Sequence, residues 1–253
     1  MTNHVIDYSA GVPSAAIVKA LGYVGAVRYL KKSGPSSVHT LTANEYRDYV
    51  NHGLTVALIY EAPQANRMLS GYDAGLVDGR WADNQTADLN IFPRCIYAAC
   101  DFDVQPSQYN ICREYLLGFV HGTGTYIGLY GGYNAIQNLR PIEGLTYYWQ
   151  TSAWSGGKIH PLADIYQYGK DTIQSIQCDV SRIVTPDWGQ QPYSIPVGDS
   201  MSTQDVSKIF DELNTSAVNT ANGTPDRLTP YIDGLCDRLI QKLEAKYPNI
   251  FHK

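Results

Sequence analysis

A short apolar run, a polar residue at its end and then a helical stretch: this unit recurs along the first ~180 residues and constrains the fold more than any other feature. Val5-Ile6-Asp7-Tyr8 reads as a strand, and Pro13 to Leu21 as a helix with proline in its first turn. Val24 to Leu30 is a strand. Thr42 to His52 is a helix with Thr42 as N-cap, Glu45 in the capping-box position and Gly53 as its stop. Leu54 to Tyr60 is continuously apolar, as a parallel strand covered on both faces should be. Asp73 to Leu89 is helical, Cys95 to Phe102 a strand, Ser107 to His121 a helix, Thr125 to Tyr130 a strand and Asn134 to Leu139 a short helix. Leu145 to Gln150, Ala163 to Tyr168 and Ile173 to Val180 complete eight strand candidates. The loops joining these last three are too short or too glycine-rich for crossover helices.

Repeated βα units imply parallel strands with right-handed crossovers. Eight strands in so short a chain predict an α/β fold, a (β/α)8 TIM-like barrel that is irregular and helix-poor in its last third. An open doubly wound sheet is the runner-up, weakened because no glycine-rich phosphate turn follows the first strand.

The pattern changes at Thr185. The barrel is expected over residues 1–185, a proline-broken linker or strap over 186–201, and a helical hairpin over 202–253. The hairpin's first helix carries Val206, Ile209, Phe210, Leu213 and Ala217 at helical spacing, and the second opens on Thr229-Pro230. Its apolar stripe needs a partner: the barrel itself, a second copy or a virion component.

Composition excludes several classes. A net charge of −5 argues against a nucleic-acid groove. No apolar run reaches the ~18 residues of a membrane span. Residues Met1 to Asp7 lack a basic segment followed by an apolar one, so no signal peptide is expected, and the chain is expected to be made in the cytoplasm. Five cysteines, an odd number without CxxC spacing, suit reduced thiols. The six histidines show no metal-ligand spacing and there is no GxSxG, so no metal, cofactor or serine nucleophile is expected, with a hard-cation site made of the carboxylates as the open alternative.

The strand ends carry the chemistry. Asp7, Glu61, Asp101, Asp103, Gln150 and Gln167 end strands, and Arg28 and Asp179 lie on them. In a (β/α) barrel the C-terminal rim is where sites are built. Asp101 and Asp103, two apart on a strand, should point the same way, ~6–7 Å apart. Paired carboxylates suit glycoside hydrolysis, with one protonated as acid and one anionic. Trp154, in a Gly/Ser loop past a strand end, is expected to face a ligand, and Trp149 to pack under a helix. The chain has 20 Tyr against 5 Phe. With the polar residues facing the axis, alternation sends Tyr8, Tyr29, Tyr60, Tyr166 and Tyr168 to the helix side. Tyr97, Tyr130 and Tyr148 remain as sugar-facing rings beside Trp154.

The ordered set Asp7-Tyr8-Ser9-Ala10-Gly11, Arg28-Tyr29-Leu30, Leu41 to Glu45, Tyr60-Glu61, Tyr97 to Asp103, Gly128 to Gly131, Trp149-Gln150-Thr151 with Trp154-Ser155, and Tyr166-Gln167 resembles the glycoside-hydrolase-like domain catalogued as domain of unknown function 1906. That family is similar to the glycoside hydrolase family 25 lysozymes. The resemblance covers residues 1 to about 185. It implies a barrel with its site at the rim, in which Asp7 matches the family 25 Asp of the first strand and Asp101 the first carboxylate of an Asp-x-Glu pair. Asp103 stands where the proton-donating Glu would be, one methylene shorter, and Asp179 matches an Asp on the last strand. It also implies a phage lysin or tail protein that reaches the wall after lysis or within a virion. Two functions follow as expectations. One is a peptidoglycan-directed glycoside hydrolase with Asp103 or Glu61 as acid and Asp101 and Asp7 assisting. The other is a non-catalytic wall-glycan-binding or virion module on the same barrel.

Overall fold

The computed structural model describes residues 3–31, 39–91 and 93–192. The chain divides into Met1–Tyr193 and Ser194–Lys253. The expected hairpin over 202–253 and the later part of the expected strap lie outside the described residues.

The first unit is a closed barrel whose strands neighbour one another in chain order. They are β1 (His4–Asp7), β2 (Gly25–Tyr29), β3 (Thr55–Tyr60), β4 (Cys95–Ala99), β5 (Tyr126–Gly131), β6 (Leu145–Thr151), β7 (Ile165–Ile173) and β8 (Ile176–Ile183). Between them run α1 (Ala15–Ala20), α2 (Ala43–Asn51), α3 (Gly71–Asp88), α4 (Tyr109–Thr123) and α5 (Tyr133–Asn138). The predicted barrel is present, with one correction. Strands β1 to β7 pair in parallel, but β8 is antiparallel to both β7 and β1. Strand β7 runs past the expected end at Tyr168 to Ile173 and reverses at Gln174-Ser175, both with positive φ (50° and 63°). Two such residues make the hairpin turn whose twist matches its strands. The outer face of this hairpin, through Ile173, Cys178 and Val180, joins the apolar layer that contains Ala15 and Val18 of α1. It takes the place of a missing crossover helix.

Two apolar layers hold the barrel. The outer one lies between strands and helices and includes Ile6, Ala26, Leu58, Ile96 and Leu129. The inner one fills the barrel with Val5, Val27, Ile59, Tyr97, Trp149 and Trp188. Trp188 comes from the segment after β8, so residues 186–192 are an ordered strap. Gln191 bridges the β3 backbone at Val56, and the Tyr97 hydroxyl donates to the Trp188 carbonyl at 2.7 Å. Helices α3 and α4 cross at glycines: a Cβ on Gly75 would lie 1.9 Å from the Tyr115 carbonyl oxygen. That approach is closer than any side chain allows.

Thr42 caps α2 as expected, accepting from the Glu45 amide at 3.2 Å. The Glu45 side chain does not complete the box. It turns inward to Arg28, Nε to Oε1 at 2.6 Å, with both side chains buried.

Candidate functional site

The parity of β2 decides the first question. Ala26 and Arg28 face the helices, and Val27 and Tyr29 face the barrel. Arg28, expected at the mouth, is fully buried against α2. It donates to Glu45 and to the carbonyls of Tyr8 and His39, and its guanidinium lies 3.9 Å from the Tyr8 ring centroid. Tyr29 therefore turns into the barrel, against the expectation. Its hydroxyl donates to Asp7 Oδ1 at 3.1 Å.

Asp7, the last residue of β1, is the centre of the mouth. Its second oxygen accepts from Gln167 Nε2 at 2.9 Å, and Gln167 Oε1 in turn accepts from the Tyr130 hydroxyl at 2.9 Å. Strand β8 sets Asp179 directly opposite Asp7. Facing residues of an antiparallel pair have Cβ atoms ~5 Å apart, so the two carboxyls are neighbours. Asp7 is 2% exposed. Burial, then the Asp179 charge, pushes its carboxyl up to about 7, against the opposing pull of the Gln167 and Tyr29 hydrogen bonds. Asp179 is half-buried and also raised, chiefly by burial, with Lys170 pulling the other way.

Glu61 and Asp101 follow the ends of β3 and β4 and are half-buried. Burial holds the Tyr29 hydroxyl protonated, reinforced by the charges of Asp7 and Glu61. The Tyr130 hydroxyl is raised likewise, with Asp101, Asp7 and Asp179 adding to burial. Tyr29 is thus within electrostatic reach of Asp7 and Glu61, and Tyr130 of Asp7, Asp101 and Asp179.

Other expected residues lie elsewhere. Strand β4 stops at Ala99, so Asp101 and Asp103 do not share a strand face, and Asp103 is exposed in the following loop. Tyr97 points inward but is fully buried, its hydroxyl spent on the Trp188 carbonyl. On β6 it is Trp149 that enters the barrel, against expectation, 4.6 Å from the Tyr130 ring centroid, with Nε1 donating to Ser181 Oγ. Gln150 and Tyr148 therefore face outward: Gln150 is buried within the β6–β7 loop, and Tyr148 packs in the outer layer. Trp154 is 41% exposed on that loop. The sequence reading missed Tyr29 as a mouth residue, and only its partner Asp7 signals it. It also missed Asp164, pushed by burial up to about 6 and bound by Thr185 Oγ1 and the Tyr148 amide.

Among the described residues no cluster of three or more His, Cys, Asp or Glu is arranged to hold a metal, and no helix is long and apolar enough to cross a membrane. Cys95, Cys100, Cys112 and Cys178 are free and buried.

A closed strand barrel with carboxylates gathered at the C-terminal rim is the framework of a glycoside-hydrolase-like protein. The chain belongs to the Rv2525c-like, glycoside hydrolase-like domain family, whose profile matches residues 15–187. It is 29% identical over 200 residues to a Mycobacterium tuberculosis (strain ATCC 25618 / H37Rv) protein named "Putative peptidoglycan hydrolase Rv2525c", covering 74% of this chain and 82% of that one. The crystal structure of the Tat-secreted protein Rv2525c from Mycobacterium tuberculosis, in complex with HEPES, is similar with a TM-score of 0.65 at 27% identity. That match covers 74% of this chain and 98% of that chain. A glycosyl hydrolase 25 of Streptococcus pneumoniae shares the fold, with a TM-score of 0.53 at 13% identity over 72% of this chain and 86% of that chain. These findings correct the expected location. The Rv2525c protein is Tat-secreted, which overturns the expectation of a product without an export signal that reaches the wall only after lysis or within a virion. The curated relative is mycobacterial, and nothing in it supports the expected phage origin.

Proposed function

We propose that this barrel is an exported glycoside hydrolase directed at peptidoglycan. The observation that carries the reading is the mouth, where the Asp7 carboxyl, set opposite Asp179 and bonded by Tyr29 and Gln167, titrates near neutral pH, with Glu61 and Asp101 following the ends of β3 and β4. The name of the mycobacterial relative and the secretion of that protein support the substrate and the location. Glu61 serves as proton donor: it follows β3 at the mouth and has the methylene that Asp103 lacks. Asp101 supplies the negative charge that faces the oxocarbenium-like centre. Asp7 is sealed by Tyr29 and Gln167, so it acts through the charge of the cluster rather than by touching sugar.

The test is release of muramyl reducing ends from purified wall. Glu61→Gln and Asp101→Asn should each lose about 100-fold or more, the range for a lost acid or charge partner. Asp103→Asn should keep the wild-type rate. No release by wild type on any wall, or unchanged rates in both carboxylate variants, defeats the reading. One observation favours a second reading, wall-glycan binding without turnover: Asp103, in the position of the family 25 donor, is exposed in a loop. Binding of wall without release of ends would establish it.

A further inference from the structure

Gln150 is a fully buried amide that bonds three groups of the loop following its own strand. Its Nε2 donates to Ser155 Oγ at 3.0 Å and to the Lys158 carbonyl at 2.7 Å, and its Oε1 accepts from the His160 amide at 2.6 Å. Ser155 Oγ also accepts from the Tyr133 amide at 3.0 Å, which ties the loop to the first turn of α5. The loop rests on the β5–α5 turn, where a Cβ on Gly132 would lie 3.1 Å from Trp154 Cβ. Inside this framework Trp154 has φ +56°, a left-handed conformation that bulky residues rarely adopt. The indole stays exposed although its backbone is tied on both sides. A buried hydrogen-bond hub, a left-handed backbone and an open ring on the C-terminal rim have one common result: the backbone that carries the ring is fixed before any ligand arrives.

We infer that Trp154 is a preformed stacking platform for a pyranose ring of the glycan strand, and that Gln150 is the positioning residue that holds it. A pyranose offers a flat C–H face, and fixing the loop that carries the indole removes the cost of ordering that loop from binding. The inference rests on the glycan-directed reading above, but it concerns binding and not turnover.

The test uses the full chain and soluble disaccharide-peptide fragments from purified wall, with affinity read by calorimetry. Trp154→Ala should weaken binding tenfold or more, and Trp154→Phe should restore most of it. Gln150→Glu keeps the acceptor for His160 but sets a carboxylate against Ser155 Oγ and the Lys158 carbonyl. It should weaken binding at least threefold. In a Trp81→Phe background it should also change iodide quenching of Trp154, because Trp149 and Trp188 are buried. Ser155→Ala carries the same arm if Gln150→Glu does not fold. In the wall assay both positions should raise KM and leave kcat near wild type. Wild-type affinity in Trp154→Ala overturns the platform. Wild-type affinity and quenching in Gln150→Glu, or in Ser155→Ala where it stands in, overturns the positioning role. A protein that binds fragments through Trp154 but releases no reducing ends keeps this inference and loses the hydrolase reading. One that cleaves wall at wild-type KM without Trp154 does the reverse.

Discussion

Replacing Asp7 by asparagine isolates the central carboxyl of the mouth. Asp7 titrates at about 7 in the folded chain against an ordinary value of 3.8. The folded state therefore holds this proton more tightly than the unfolded state does. Its contribution to stability is complete below about pH 4, is lost as pH rises toward 7, and changes little above that. Three pH units correspond to about 4 kcal/mol. The carboxamide of the Asp7→Asn variant carries no charge at any pH, and its oxygen can still accept from Tyr29. Its NH₂ group meets Gln167 Nε2 donor to donor, as a protonated Asp7 also would, so that mismatch nearly cancels at low pH. Asp164, raised to about 6, titrates in both proteins and drops out of the difference. The expectation is near-equal stability at pH 4, and an Asp7→Asn variant more stable by about 2–4 kcal/mol at pH 8. Urea unfolding at half-unit steps between these limits, followed by the buried Trp149 and Trp188, reads it directly. Parallel stability curves, or a wild type more stable at pH 8, would refute the claim that burial dominates the Asp7 environment.

Three further substitutions test the framework. Gly75→Ala should destabilise by about 1–3 kcal/mol in thermal melts, although alanine is the better helix former, because its Cβ meets the α4 backbone. A higher melting temperature would show that α3 and α4 can separate freely. Glu45→Gln leaves Arg28 buried without its counter-charge and should cost about 3–5 kcal/mol in urea unfolding. A loss below about 1 kcal/mol would mean that the Tyr8 and His39 carbonyls suffice. Trp188→Ala should cost about 3–5 kcal/mol and expose the floor of the barrel, seen as dye binding at neutral pH. An unchanged midpoint would reduce the strap to a surface ornament.

The strand order and Asp7 at a strand end are legible from the sequence because apolar runs bounded by helical stretches leave little choice. The inward face is not legible. Alternation separates two faces, but in a barrel sheathed by helices both are buried, so polarity alone does not name the inner one. Arg28 shows this: what stabilises it is Glu45, 17 positions away on a helix. Gln150 shows it too, because its partners lie in a loop with no regular pattern. The reversal of β8 is hidden for another reason. Its turn uses Gln174-Ser175, where Asn-Gly would have announced a hairpin. The clamp on Asp7 comes from residues 22 and 160 positions away, a separation that local pattern cannot bridge.

The excess of tyrosine then has a physical account that phenylalanine cannot supply. Inside the barrel Tyr29 bonds Asp7, Tyr130 bonds Gln167, Tyr97 bonds the Trp188 carbonyl and Tyr147 bonds Asp187. Outside it, Tyr8 donates to Glu45 and Tyr115 to Asp78. In each case the ring packs while the hydroxyl donates to a polar acceptor, and Glu45, Asp78 and Asp187 among these also pair with an arginine. Phenylalanine in place of Tyr29 would fill the same volume, but Asp7 would lose a donor that favours its anion. The pKa of the central carboxyl would then rise further, and the charge of the mouth would change with it. Tyrosine here is the residue that lets a packed barrel core end in a wet, charged rim.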